Sequence, residues 1–237
     1  MNAFESLAGV GPIVLTCEHA SEFMPSGYAW PDADARLVGT HWAFDPGARD
    51  LTLELAEVLR APAVLSCFSR LLVDPNRPED SPTLFRHLAE GEKVMLNEDL
   101  RDEEKDRRIR ELYRPYHGAV DALMRGSGAT VAFSVHTFTP LYEGKTRDIE
   151  VGILFDEAES DAEVLCQAIA DAGWDARLNE PYSGKEGLMY CVDHHATAHG
   201  LRPIEIEVRH DLAVDPAKRA RLVECIAKSL QGLAATS

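Results

Sequence analysis

The sequence predicts an α/β fold: a three-layer α/β/α arrangement with a central, mostly parallel (mixed) sheet. Three observations predict it. Short apolar runs of strand length recur along the chain. Stretches with helical spacing lie between them. No Gly/Ser linker, internal repeat or low-complexity segment divides the 237 residues. Strands covered on both faces read as continuous apolar runs, and helices that alternate with them supply the cover. The chain is therefore read as one domain spanning residues 1–237.

The elements follow in order. Ile13 to Cys17 is an apolar run read as a buried strand. Across residues 47–60, Leu51, Leu55 and Leu59 fall on one helical face. Residues 63–68, entered through Pro62, read as a second strand, and 71–73 as a third. Pro75, Pro78 and Pro82 then fix a loop, because each removes an N–H and restricts its predecessor. Residues 102–124 are strongly helical, with Ile109, Leu112, Tyr116 and Val120 on one side and Pro115 predicting a kink or break. Strands follow at 130–135 and 150–155. A helix over 158–172 stops at Gly173. A late strand covers 204–208, and a closing helix over 215–233 carries Pro216 in its first turn.

Composition narrows the function. The 24 Lys and Arg stand against 40 Asp and Glu, a net charge of −16. Such a surface repels phosphate backbones, which argues against a nucleic-acid partner. The first residues lack a basic signal region, and no apolar run approaches the ~20 residues a membrane helix needs. A cytoplasmic protein with no membrane partner is expected. The five cysteines are scattered, with no C-x-x-C pair, and read as reduced core residues. A small anionic substrate would need a local basic pocket within this negative field.

In open α/β sheets ligands sit beyond the carboxyl ends of the strands. Glu18-His19, Ser134-Val-His136 and Glu207-Val-Arg209 lie just past three predicted strands and should converge on one edge; a proline-bounded turn adds a fourth candidate group. His19 and Glu22, three apart just past a strand, can reach one metal ion, or else form a polar loop. His136 ends an apolar strand and could complete a three-ligand site with an open position, as hydrolytic zinc sites require. In Glu205-Ile-Glu207-Val-Arg209, alternation puts the two acids and the arginine on one face. Two carboxylates there suit a general base or an Arg-neutralised network. Arg70, Asp74, Asn76 and Arg77 crowd a proline-bounded turn, where arginine forks can grip a carboxylate. His117 reads as a hydrogen-bonded core residue. His194, His195 and His199 have metal-like spacing but read as surface.

Ordered motifs carry a resemblance. They are Cys17-Glu-His19-Ala-Ser21, Trp42-Ala-Phe-Asp45-Pro-Gly47-Ala48 and Ser69-Arg70-Leu-Leu-Val-Asp74-Pro-Asn76-Arg77-Pro78. Tyr113-Arg-Pro115-Tyr116-His117, His136-Thr-Phe-Thr139-Pro140, Asn179-Glu-Pro181-Tyr182-Ser183-Gly184 and Ile204-Glu205-Ile-Glu207-Val-Arg209-His-Asp211-Leu212 follow. The set resembles the N-formylglutamate amidohydrolase family over about residues 13–212. The resemblance implies a zinc-dependent exopeptidase-like fold. It also implies one zinc, or another divalent metal, on His19, Glu22 and His136, with Asp45 as the alternative carboxylate. Asn76 and Arg77, with Arg70 or Arg209 as further candidates, would bind the substrate carboxylate, and Glu207 would be the base.

Two classes of function follow. One is a metal-dependent hydrolase cleaving the amide of an N-acyl, best matched by N-formyl, amino acid, or a related zinc hydrolase of another small acyl amino acid or peptide. The other is a non-catalytic protein that holds an anion with its arginines. Bound metal discriminates between them.

Overall fold

The computed structural model describes residues 2–235. Its centre is a seven-stranded sheet. The strands are β1 (Phe4–Leu7), β2 (Ile13–Cys17), β3 (Ala63–Ser66), β4 (Val131–Phe138), β5 (Val151–Leu154), β6 (Ala176–Leu178) and β7 (Arg202–Arg209). Their order is β1-β3-β2-β4-β7-β5-β6. The β1–β3 and β5–β7 pairings are antiparallel, and the others parallel. The expected mixed, mostly parallel sheet between helical layers is what the structure shows.

Among the described residues seven α-helices accompany it: α1 (Ala48–Leu59), α2 (Asp102–Arg108), α3 (Arg114–Ser127), α4 (Glu159–Asp171), α5 (Tyr190–His199), the short α6 (His210–Ala213) and α7 (Pro216–Ala235). Strand alternation sorts side chains to two faces. Ile13, Leu15, Cys17, Val131, Phe133, Val135, Ile204, Ile206 and Val208 join an apolar core shared with residues of α1, α4 and α7. Val14 and Ala132 face the other way, into a core shared with Tyr116 and Val120 of α3 and Val192 and Ala196 of α5. Toward the carboxyl ends, this second face turns polar.

Two local departures from the sequence reading have physical causes. Residues 71–73 are buried as an apolar run should be, but they form a turn rather than a strand. The Leu72 N–H bonds to the Ser69 carbonyl, curling the segment under Arg70 and Asp74. Pro115 does not break its helix. It sits in the first turn of α3, and a wider turn over Ile109–Tyr113 joins α2 to α3. A residue without an N–H cannot make the usual bond four residues back, and a widened turn absorbs the mismatch. Strands β1 and β6 at the two edges were not anticipated. Each is short, and a weak local pattern is completed only by its neighbour.

Candidate active site

Three adjacent parallel strands place the site. On the second face, β2 and the residue after it present Thr16 and Glu18, β4 presents Ser134 and His136, and β7 presents Glu205 and Glu207. The register sets Glu205 beside Ser134 and Glu207 beside His136. All six are buried. His19 follows immediately after β2. Asp45 enters from the turn before α1, where its N–H bonds to the His19 carbonyl at 2.9 Å. That turn needs Gly47: its φ is +87°, and a Cβ there would lie 2.7 Å from the Ala213 backbone.

His19 Nδ1, Asp45 Oδ2 and His136 Nδ1 converge. Asp45 Oδ2 lies 2.8 Å from His136 Nδ1 and 3.4 Å from His19 Nδ1. These three side chains are buried, and their candidate ligand atoms all lie within 4.8 Å of one another. The opposite ring nitrogens meet carboxylates as well. His19 Nε2 is 2.8 Å from Asp74 Oδ1, and His136 Nε2 is 2.9 Å from Glu18 Oε2. A carboxylate behind each imidazole fixes ring orientation and raises its basicity, as metal-ligating histidines require. Glu18 is in turn held by Ser134 Oγ at 2.6 Å and the Tyr116 hydroxyl at 3.2 Å.

The electrostatics are strongly biased. Burial alone would raise Glu18, but the His136 hydrogen bond and charge, with Ser134, pull it down to about 2. Burial would likewise raise Asp45 and Asp74. His19 and His136 hold the first well below the usual range, and Arg70 and His19 hold the second there. Against its own burial, His136 is held well above the ordinary histidine range by Glu205, Asp45 and Glu18. Glu205 is pushed up to about 7 by burial, with the charges of Glu18 and Asp45 adding to it against His136. Burial, Asp45 and Glu205 push Glu207 well up, again against His136. Five buried acids thus crowd two imidazoles and Arg70, a donor set that a divalent cation would neutralise.

Above this cluster opens a cavity of about 130 Å³. Its floor includes His19, Asp45, His136 and Glu207, and Glu205 is not among its walls. Glu207 Oε2 is buried with no hydrogen-bond partner among the described residues. Arg70, Asn76, Arg77 and Arg86 form one side, and Trp42, Phe138, Tyr142 and Tyr182 supply rings. Arg70 is committed: it donates to Asp74 at 2.7 Å and reaches Asp45 at 3.4 Å. Asn76 is also committed, its amide joining the Leu188 carbonyl and the Cys191 N–H. Among the described residues, the Arg77 and Arg86 guanidinium groups make no hydrogen bond or ion pair. Arg86 lies over the Trp42 ring, 5.1 Å from its centroid.

Two expected site residues stand elsewhere. Glu22 does not join the histidines: its carboxylate accepts the Gly39 N–H. The chain turns away after Ala20, and Asp45 fills the place beside His19 and His136. Arg209 leaves the pocket too. It pairs with Asp211 at 2.6 Å and donates to the Asp148 carbonyl at 2.7 Å. It lies at the strand's last position, where the chain swings into α6. Glu18, Asp74 and Arg86 were not singled out for these roles. Glu18 was legible, since alternation from Thr16 puts it on the polar face. Arg86 carried no local signal.

The fold and cavity define a class: an α/β/α protein with a buried, cation-compatible cluster under a basic pocket at the sheet's carboxyl edge. The profile of the N-formylglutamate amidohydrolase family matches residues 11–214, and the chain belongs to that family. It is 30% identical over 154 residues to the N-formylglutamate deformylase of Pseudomonas putida, covering 55% of this chain and 57% of that protein. The match thus spans little more than half of that relative. The crystal structure of an Agrobacterium tumefaciens gene product superposes with a TM-score of 0.90 at 32% identity, covering 98% of this chain and 96% of that one. The N-formylglutamate amidohydrolase of Ralstonia eutropha shares the fold, with a TM-score of 0.71, 19% identity and coverage of 100% and 98%. No helix among the described residues is long and apolar enough to cross a membrane.

Proposed function

We propose that this chain, working as one domain, hydrolyses the amide bond of an N-formyl amino acid bearing two carboxylates, with N-formylglutamate as the best-fitting substrate. The observation that carries this is the pair of half-buried, unpaired arginines, Arg77 and Arg86, facing a cavity whose floor holds an unpartnered glutamate. Two half-buried guanidinium groups with no ion pair among the described residues are poised to take an anion from a ligand. The Pseudomonas putida relative's name supports the formyl group.

The chemistry follows from the residues. His19, Asp45 and His136 would hold one divalent cation, and their imidazole and carboxylate donors suit zinc. Such an ion, when bound, supplies Lewis acidity and lowers the pKa of nearby water. Arg77 and Arg86 bind and orient the two carboxylates, which places the formyl amide over the floor. Glu207 takes a proton from the attacking water as the C–O bond forms at the formyl carbon. It returns that proton to the amide nitrogen as the C–N bond breaks, so formate and a free amino acid leave. Burial and the neighbouring acids push Glu207 up, and a cation on His19, Asp45 and His136 would offset that push and keep the carboxylate free to accept the proton. Arg70 positions Asp74 and Asp45 rather than touching substrate.

The test is a panel of N-acyl amino acids followed by amine release, with metal content measured beside it. Faster turnover of N-formylglutamate than of N-formylleucine or N-acetylglutamate is expected. Binding without turnover in metal-loaded protein would instead identify a carboxylate-binding protein.

A further inference from the structure

A second cluster lies outside this pocket, between α3 and α5. Cys191 and His195 are four residues apart on α5, so they share one face of that helix. His117 of α3 meets them, and the three side chains are buried. A ring nitrogen from each histidine and Cys191 Sγ lie within 4.8 Å of one another.

We propose that His117, Cys191 and His195 form a second site for a divalent metal of zinc-like chemistry, structural in role. The proposal does not depend on the reaction assigned to the first site.

The hydrogen bonds favour it. His117 Nε2 lies 3.0 Å from the Pro75 carbonyl, which can only accept, so that nitrogen carries the proton. His117 Nδ1 therefore presents a lone pair, 2.8 Å from His195 Nε2. A cation between them replaces one shared proton. His195 then carries its proton on Nδ1, toward Asp121 Oδ1 at 3.9 Å. Each imidazole would bind metal through one nitrogen while the other faces a carbonyl or a carboxylate, the arrangement ligating histidines adopt. Burial, reinforced by the neighbouring histidines, pushes both rings down to about 4, so both are neutral at pH 7. Neutral imidazole is the form that binds metal.

The Cys191 thiol is pushed well up by burial and by Glu18. A thiolate forms there only with a cation on it. Binding therefore releases one proton per metal, from Cys191 Sγ, while the His195 proton only changes nitrogen. Two imidazoles and one thiolate are a donor set zinc and cobalt accept.

The site would brace the substrate pocket from behind. His117 holds the Pro75 carbonyl, and the Cys191 N–H holds Asn76 Oδ1 at 3.0 Å. A metal on these two residues would lock α3 and α5 to the turn that presents Arg77.

Cobalt(II) titration of chelator-stripped, full-length protein tests this. We expect two equivalents per chain and a thiolate-to-cobalt charge-transfer band in the near ultraviolet. Cys191→Ser should abolish the band and lose one equivalent. Cys17→Ser, also buried but beside the first cluster, should keep the band. His19→Ala should lose the other equivalent and leave the band intact. A wild-type protein that takes up cobalt without a charge-transfer band overturns the proposal, whether or not the variants fold. So does a band that survives Cys191→Ser. A band with one equivalent keeps this site and counts against the first, so the two readings fail separately.

Discussion

Two pairs of buried histidines sit in one molecule and are treated oppositely. His19 and His136 have ring centroids 4.7 Å apart, and His117 and His195 are 5.1 Å apart. The first pair is enclosed by carboxylates, with Asp45 between the rings and Asp74 and Glu18 behind them. The second pair has a backbone carbonyl on one side and a distant Asp121 on the other. The consequence is a His136 held protonated well above its usual range and a His117 held neutral down to about 4. Burial lowers both; the number of nearby anions decides the sign. The comparison teaches that a buried imidazole is not in itself a functional signal. An excess of buried negative charge is one, because something positive must come to balance it.

The largest test of the contrast removes the one floor carboxylate with no partner. Glu207→Gln should retain metal while kcat falls by ~10²- to 10⁴-fold, the range for lost general acid–base catalysis. Equal loss in Glu205→Gln with near-normal Glu207→Gln would reverse the two roles.

Next is the enclosure itself. Asp74→Asn leaves a similar shape but takes the anion from behind His19. Metal affinity at the first site should drop by about 10- to 100-fold, as for other partners that orient ligating histidines. Competition with a metal-sensitive chelator would measure this, and an unchanged affinity would mean that Asp74 serves Arg70 alone.

Arg77→Ala should act on binding. A charged hydrogen bond is worth ~1.5–3 kcal/mol, so KM should rise by about 10- to 100-fold with a smaller change in kcat. If KM for dicarboxylates stays the same while Arg86→Ala raises it, Arg86 is the main clamp.

The smallest effect is in the stability of the metal-free protein. The folded pKa of His117, about 4, lies below its ordinary 6.5. The unfolded chain therefore takes up a proton that the folded one refuses. The contribution of His117 to stability is complete above pH 6.5 and is lost as pH falls toward 4. His136 has the opposite sign, contributing below pH 6.5 and losing its contribution as pH rises through its raised folded value. The His117 shift, from 6.5 to about 4, corresponds to an upper bound of about 3 kcal/mol. His117→Gln, which can still donate to the Pro75 carbonyl, should flatten the fall in denaturation midpoint between pH 6.5 and 4. An unaltered slope would show that other groups set the acid limb.

Much of this was legible before any coordinates. The alternation of apolar runs and helical stretches gave the layers. The rule that ligands gather at strand carboxyl ends brought Glu18, His19, His136 and Glu207 to one edge. The reading failed where the chain bends. Glu22 has the spacing of a metal ligand, but spacing constrains direction only if the segment stays regular, and the loop after Ala20 does not. Arg209 shares the alternation of Glu207 but sits where the strand gives way to α6. The sequence reads His194, His195 and His199 together as surface, whereas the structure exposes His194, half-buries His199 and buries His195. A helix of low amphipathicity hides which face packs inward.

By itself the sequence determined the α/β layering, the polar end of the central strands and the crowding of arginines after β3. Those follow from periodicity and burial, which act over a few residues at a time. Only the tertiary structure decided that Asp45, not Glu22, lies between the two histidines. Only it decided that Arg86 faces the pocket, and that His117 meets Cys191 and His195. Each of these juxtaposes residues distant in sequence. Their distances depend on how loops close and helices pack, and no local pattern records that.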